Sequence, residues 1–355
     1  MDVCNFIEEV INNNPIIVVG SGSSRGAGIS GMKELGQYLK ENITPESDND
    51  QREWNEILKQ IENGKGLEES LQSSNLTECL TYSIVEATWS CISRDEKQAL
   101  LKIASGDDIC GFIRYFERYK HTSNYVINVI TTNYDQIIEW SAAYAGLQIW
   151  DGFDNGVLSK PLSLAEYERK MTKFINGKLR KINYVRIYKP HGSLSWFKTR
   201  NGEFVKLQGV NHFDKDLLKE IGLTPVIVTP GTGKYLETHR DPYNQIFAEM
   251  NRCIQEAKGM VFYGFGFNDD HIQGSFQSVM LNIHIPKLII TKELSSSFYK
   301  IMENGEIKNF VAIEEYGLNS KVYSDCISEE FIEGNRWSFA SLLNLAWGEE
   351  YAVHS

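Results

Sequence analysis

The chain has 355 residues, 42% of them apolar, enough to bury one large core or two modest ones. Its 36 Lys and Arg against 47 Asp and Glu leave a formal charge of −11 with no long basic run, which argues against direct nucleic-acid binding by this chain. Cys4, Cys79, Cys91, Cys110, Cys253 and Cys326 form no C-x-x-C pair, so neither a zinc ribbon nor a disulfide framework is expected, only buried thiols in a reducing compartment.

Val3, Phe6, Ile7, Val10 and Ile11 recur at helical spacing, so a helix precedes the first strand. Pro15–Val19 reads as a short buried parallel strand. The Gly/Ser stretch Gly20–Ser24 reads as a loop, and Met32, Leu35, Tyr38 and Leu39 then mark a helix. A strand, a glycine loop and a helix in that order set backbone N–H groups and a helix N-terminus where a phosphate can sit. The same pattern also serves as a plain tight turn in α/β proteins.

Residues 44–51 are polar and read as an exposed loop. From Gln51 to Tyr119 only helical patterns appear: Trp54, Ile57, Leu58 and Ile61; then Leu76, Leu80, Ile84 and Ala87; then Ile109, Phe112, Ile113 and Phe116. Loops fall near Gly64–Gly66 and Gly106–Asp108. This is a helical insertion, suited to capping a pocket or building a subunit interface.

Strand–helix alternation returns with Tyr125–Ile130, which ends at Thr131-Thr132-Asn133-Tyr134-Asp135 before a helix over about 136–145. Residues 163–178 read as helical, and Tyr184–Tyr188 as a strand running into Lys189-Pro190-His191-Gly192-Ser193. Asn201-Gly202 between Ser195–Lys198 and Glu203–Leu207 predicts a type I′ hairpin. Pro225–Val228 is a further strand with the tip Thr229–Lys234, and Asp241-Pro242 starts a helix to about Ala257. Met260–Tyr263 ends in Gly264-Phe265-Gly266-Phe267-Asn268-Asp269-Asp270, Lys287–Ile290 ends at Thr291, and Asn309–Ile313 is the last strand. The fold class is therefore α/β: a Rossmann-like, mostly parallel sheet with helices on both faces and an all-helical insertion. Ligand pockets of such sheets lie beyond the carboxyl ends of the strands.

Asn133 and Asp135 stand at such a tip, where capping the following helix and binding a ligand are equally good readings of the spacing. His191 stands at another, with Gly192 removing bulk beside it. His121, His212, His239, His271, His284 and His354 have no ligand spacing with carboxylates or cysteines, and no metal site is expected. Asp269-Asp270 most simply begins a helix. No signal peptide or bilayer-length apolar run is present, so a soluble cytoplasmic protein is expected.

The glycine loop, Thr-Thr-Asn-Tyr-Asp, Lys-Pro-His-Gly-Ser and Gly-Phe-Gly-Phe-Asn-Asp-Asp-His-Ile, in that order, resemble the motifs of the sirtuin-like superfamily. The likeness is closest to sirtuin-like domains of bacterial anti-phage defence systems. It spans roughly residues 10–295 apart from the helical insertion. Gly26–Ser30 spells the sirtuin signature literally, yet it begins six residues after the strand ends, so Gly20–Ser24 aligns better with the phosphate loop.

The resemblance implies NAD as substrate. Gly20 belongs to the phosphate loop; Ser21 and Gly22 would offer N–H groups to the diphosphate, with Ser24 and Arg25 alongside. Asn133 would orient the nicotinamide ribose or an attacking water, Asp135 would hold the ribose or carboxamide, and His191 would be the general base. Gly264, Gly266 and Asn268 would border the adenosine half, and Thr291 its ribose. Deacylating sirtuins carry a four-cysteine zinc module between the His-Gly segment and the next strands, whereas this chain has only Cys253 between His191 and Gly264. Hydrolysis of NAD to nicotinamide and ADP-ribose is accordingly expected. The alternatives are an ADP-ribosyltransferase or deacylase, or a sensor that binds NAD or ADP-ribose without turnover. The resemblance further implies a homo-oligomer and a partner such as a HerA-type ATPase. The expected layout is a split NAD-binding domain (1–43 and 123–295), the helical insertion (44–122) and a C-terminal extension (296–355).

Overall fold

The structure is a computed structural model that describes residues 2–74, 76–209, 215–229, 242–325 and 329–348. The tip at 230–234, Asp241, His212, His239, Cys326 and His354 lie outside those residues, as does the side chain of His271.

A nine-stranded sheet runs through the molecule in the order β15 (Glu330–Ile332), β14 (Asn319–Ser324), β13 (Phe310–Tyr316), β12 (Lys287–Ile290), β11 (Met260–Tyr263), β1 (Ile16–Val19), β2 (Val126–Thr131), β7 (Tyr184–Tyr188), β3 (Gln148–Trp150). The pairs from β13 to β3 are all parallel, and β14 and β15 add an antiparallel edge. The chain leaves β1 towards β2 and β7, then crosses back to β11 on the other side of β1. The order reverses there, so a crevice opens between the carboxyl ends of β1 and β11.

All four residues of β1 are buried, as expected of a strand covered on both faces. Ile17 and Val19 join one core with helices Val3–Asn12, Glu78–Ala104, Phe112–Lys120, Ile137–Tyr144 and Phe339–Trp347. Ile16 and Val18 join the opposite core with helices Leu164–Lys170, Tyr243–Gln255, Asp270–Met280 and Ser296–Glu303. The five apolar residues of the first helix are buried as their spacing predicts. Between β1 and β2 the described residues hold helices and no strand.

Five local expectations are corrected. Gly20 is followed by the short helix Ser21–Arg25 rather than an open loop. The polar stretch 44–51 is loop only to Ser47, whose hydroxyl accepts from Asp50 N and starts helix Asp48–Glu62. Residues 163–178 are not one helix: Leu164–Lys170 gives way to the hairpin of β5 (Thr172–Ile175) and β6 (Lys178–Lys181). Its turn, Asn176-Gly177, has φ of 51° and 77°, the type I′ geometry. At the other Asn-Gly pair only Gly202 has positive φ, so the turn between β8 (Gly192–Thr199) and β9 (Phe204–Leu207), closed by Thr199 N–H on Glu203 O, is not type I′. Finally, β10 (Leu223–Ile227) leaves the parallel sheet and pairs antiparallel with β8, in a second sheet ordered β10, β8, β9, β4 (Leu158–Ser159).

Candidate active site

The crevice is lined at its floor by the tips of β1, β2, β7 and β11, and along one wall by the helical segment. Its empty space, solvent at the mouth included, is about 970 Å³. Gly20, Ser21 and Ser24 line it from the first turn, Asn133 and Asp135 from the second tip, His191 from the third, and Gly266 and Asn268 from the fourth. Met32, Leu35, Glu68 and Ile92 form the opposing wall.

The first turn can lie so low because three glycines interlock. Gly22 donates its N–H to Gly264 O (3.0 Å), and a Cβ on Gly264 would come within 2.2 Å of Ser23 N. This changes the part given to Gly22: its amide is spent on the backbone of the next tip, and it does not line the crevice. Gly264 likewise serves the interlock rather than the pocket wall. Arg25 pairs with Glu34 at 3.0 Å on an exposed surface beside Gly31 and does not itself line the crevice. Thr291 caps no part of the crevice either; its N–H reaches Ile313 O and its hydroxyl Glu293 O. Of the literal signature, Ile29 and Ser30 line the crevice, whereas a Cβ on Gly26 or Gly28 would meet nothing within 4 Å.

Asn133 is 8% exposed and held from below. Its Nδ2 donates to Gly20 O at 3.1 Å and to Ser24 Oγ at 3.0 Å. A carbonyl acceptor on that side fixes the amide orientation, because the flipped form would set two oxygens against each other. Among the described residues no donor reaches Asn133 Oδ1, although it is fully buried. Ser24 passes its own proton to Asp135 Oδ2 at 2.9 Å.

Asp135 does what the capping reading expects: Oδ1 accepts from Ile137 N at 3.2 Å, at the start of helix Ile137–Tyr144. Each of its oxygens thus already accepts a hydrogen bond. Burial pushes its carboxyl up, opposed by the Lys189 ammonium. Lys189 is fully buried and donates to Asp135 O (2.5 Å) and Glu139 Oε1 (2.8 Å). Beneath them Glu96, pushed up to about 8 chiefly by burial, accepts from Gln136 N and Nε2.

His191 sits on a turn that only glycine completes. Gly192 has φ 81°, and a Cβ there would lie 2.2 Å from Val226 O. The imidazole Nε2 is 2.8 Å from Asp269 Oδ2, and both side chains are largely buried. Asp269 reads from sequence as a helix start, which it is, since its carbonyl accepts from Ile272 N and Gln273 N. Its contact with His191 is invisible in sequence because 78 residues and two strand crossings separate them. Asn268 Oδ1 accepts from Ser297 Oγ at 2.7 Å, which ties this tip to helix Ser296–Glu303.

Helix Glu78–Ala104 touches the segments that follow three of the tips. Trp89 Nε1 donates to Leu194 O (2.9 Å), Asp95 accepts from Ser30 N (3.0 Å), and Glu96 holds Gln136. Among the described residues no group of three or more His, Cys, Asp or Glu side chains is arranged to hold a metal ion. No helix among them is long and apolar enough to cross a membrane.

Residues 127–293 match the family model of the SIR2-like domain, a span that holds every tip except the first. No curated protein matches the chain. Similar solved structures include one described under the mechanism and regulation of Sir2 enzymes (TM-score 0.41, 12% identity, 87% of this chain and 91% of that one). Another is a Sir2 homologue in complex with NAD (TM-score 0.37, 11% identity, 84% and 82%). A third is a mutant Sir2 homologue with 2′-O-acetyl ADP ribose (TM-score 0.44, 12% identity, 88% and 90%).

Proposed function

We propose that the chain hydrolyses the nicotinamide–ribose bond of NAD, with water as acceptor, giving nicotinamide and ADP-ribose. The observation that carries this reading is Asn133: a buried carboxamide at the wall of a switch-point crevice, its nitrogen anchored below and its oxygen without a donor among the described residues. A buried acceptor in that state calls for a partner that arrives with the ligand.

In the reaction the C1′–N bond breaks, its electron pair leaves with neutral nicotinamide, and water oxygen bonds to C1′. Asn133 Oδ1 accepts a hydrogen bond from that water and aims its lone pair. His191 takes the water's proton, an imidazole being suited to proton transfer near neutrality. Asp135 serves from beneath, through Ser24, by holding Asn133 rather than by touching ribose. Gly20 and Ser21 border the diphosphate, and Gly266 and Asn268 the adenosine side.

The second sheet follows directly on His191, where deacylating sirtuins carry their zinc module, and this favours water over an acyl-peptide as acceptor. The proposal extends to an NAD-depleting effector of anti-phage defence that assembles as a homo-oligomer and is gated by a partner such as a HerA-type ATPase; the motif resemblance supports it. The test is to incubate the purified chain with NAD, alone and with cell lysate, and resolve the products by chromatography. Equal amounts of nicotinamide and ADP-ribose, with no change on adding an acetyl-lysine peptide, are expected. O-acetyl-ADP-ribose would replace hydrolysis by deacylation, and tight NAD binding without products in either condition would make the chain a sensor.

A further inference from the structure

We infer that Asp269 is the positioning partner of His191, holding the imidazole as the tautomer with its proton on Nε2, so that Nδ1 is the atom that takes a proton. The chemical use of this pair rests on the hydrolase reading; the tautomer itself does not.

A neutral imidazole has one donor nitrogen and one acceptor, while an ionised carboxylate only accepts. With Asp269 Oδ2 2.8 Å from Nε2, the proton belongs on Nε2 and the lone pair on Nδ1. Neither partner is free to drift. The backbone of His191 is pinned by Val228 N on its carbonyl (2.8 Å) and by the glycine-only turn after it. Asp269 is pinned by the first turn of helix Asp270–Met280. In sheet order His191 follows β7 and Asp269 follows β11, with β1 and β2 between them. The pair therefore bridges the two halves of the crevice above the tips that carry Gly20 and Asn133. A carboxylate that fixes a base's tautomer from outside the reacting atoms is worth about 10²–10⁴-fold in turnover where it is replaced by the amide.

The experiment uses the full chain with ¹⁵N-labelled histidine, and His191→Ala to assign the signal. In the wild type, long-range ¹H–¹⁵N spectra of neutral His191 should show a protonated Nε2 and a pyridine-like Nδ1. Asp269→Asn should lose that pattern, since an amide can pair with either tautomer. It should lower kcat by about 10²–10⁴-fold with little change in KM for NAD, and lower it no further in a His191→Ala background. A wild-type ring protonated on Nδ1, or a spectrum that Asp269→Asn leaves unchanged, overturns the inference. So does an additive loss in the double variant. The wild-type spectrum decides the tautomer even if Asp269→Asn fails to fold or the wild type proves inert towards NAD, an outcome that counts against the hydrolase reading alone.

Discussion

The two walls of the crevice are built differently. The strand tips bring polar atoms: Asn133, Ser24, Asp135, His191 and Asp269, each two to six residues beyond the end of a parallel β-strand. The helical wall brings Ile92, Leu35 and Met32 to the cavity together with Glu68, and sets Trp89, Asp95 and Glu96 behind them as struts to Leu194, Ser30 and Gln136. On the proposed reaction the tips carry the chemistry, and the helix holds them in register. Damage to the first should cost turnover without stability, and damage to the second stability before turnover.

Trp89→Ala tests the helical wall at its strongest point. The indole is 2% exposed, packs edge-on against Phe197 and bonds Leu194 O. Its loss should lower unfolding free energy by about 3–5 kcal/mol, measured by denaturant titration, while NAD turnover per folded molecule changes little. Asn133→Ala tests the tips: turnover should fall about 10²–10³-fold, with the melting temperature nearly unmoved. If Trp89→Ala abolished turnover at full stability, or Asn133→Ala unfolded the chain, the division of labour would be wrong.

Gly22→Val strikes the joint between two tips. Its Cβ would lie 2.9 Å from Gly264 O, so overpacking of about 1–3 kcal/mol is expected, together with loss of NAD binding in calorimetric titration. Glu96→Gln is subtler. The Glu96 carboxyl, raised from 4.5 to about 8, contributes stability that is complete below pH 4.5 and lost as pH rises through 8. The glutamine variant lacks that loss, so its melting temperature relative to wild type should climb between pH 5 and pH 9; a flat difference would mean Glu96 is ionised throughout. Gly26→Val, with nothing near its Cβ, should stay within about 0.5 kcal/mol and bind NAD normally. A reversal of the Gly22 and Gly26 results would move the phosphate loop to residues 26–30.

Strands β1, β7, β11 and β12 were legible from their apolar runs because a strand covered on both faces has little room for anything else. The polar tips of β2 and β7 located Asn133 and His191. The hairpin of β5 and β6 follows a helix directly and exposes Lys173, Phe174 and Lys178–Lys181, so only its Asn176-Gly177 turn pair announces it. β10 looked like the other buried strands, since burial alone does not say which sheet a strand joins. The Asp269 contact and the carboxylates under Asn133 depend on which tips become neighbours, and local pattern holds no record of that.

One feature governs how the site comes into being. β1 precedes both of its neighbours in the chain, yet it lies between β2 and β11 and pairs with Val129–Thr131 on one side and Met260–Tyr263 on the other. The Gly20–Ser24 turn cannot settle before Gly264 has emerged to receive it. Such non-local pairing makes folding slow and leaves β1 waiting for β11, more than 200 residues later in the chain. It also means that a nascent or truncated chain ending before residue 260 has Asn133 and His191 but lacks the floor that orients them. On the hydrolase reading, NAD cleavage would thus stay silent until the β11 tip has been made and docked.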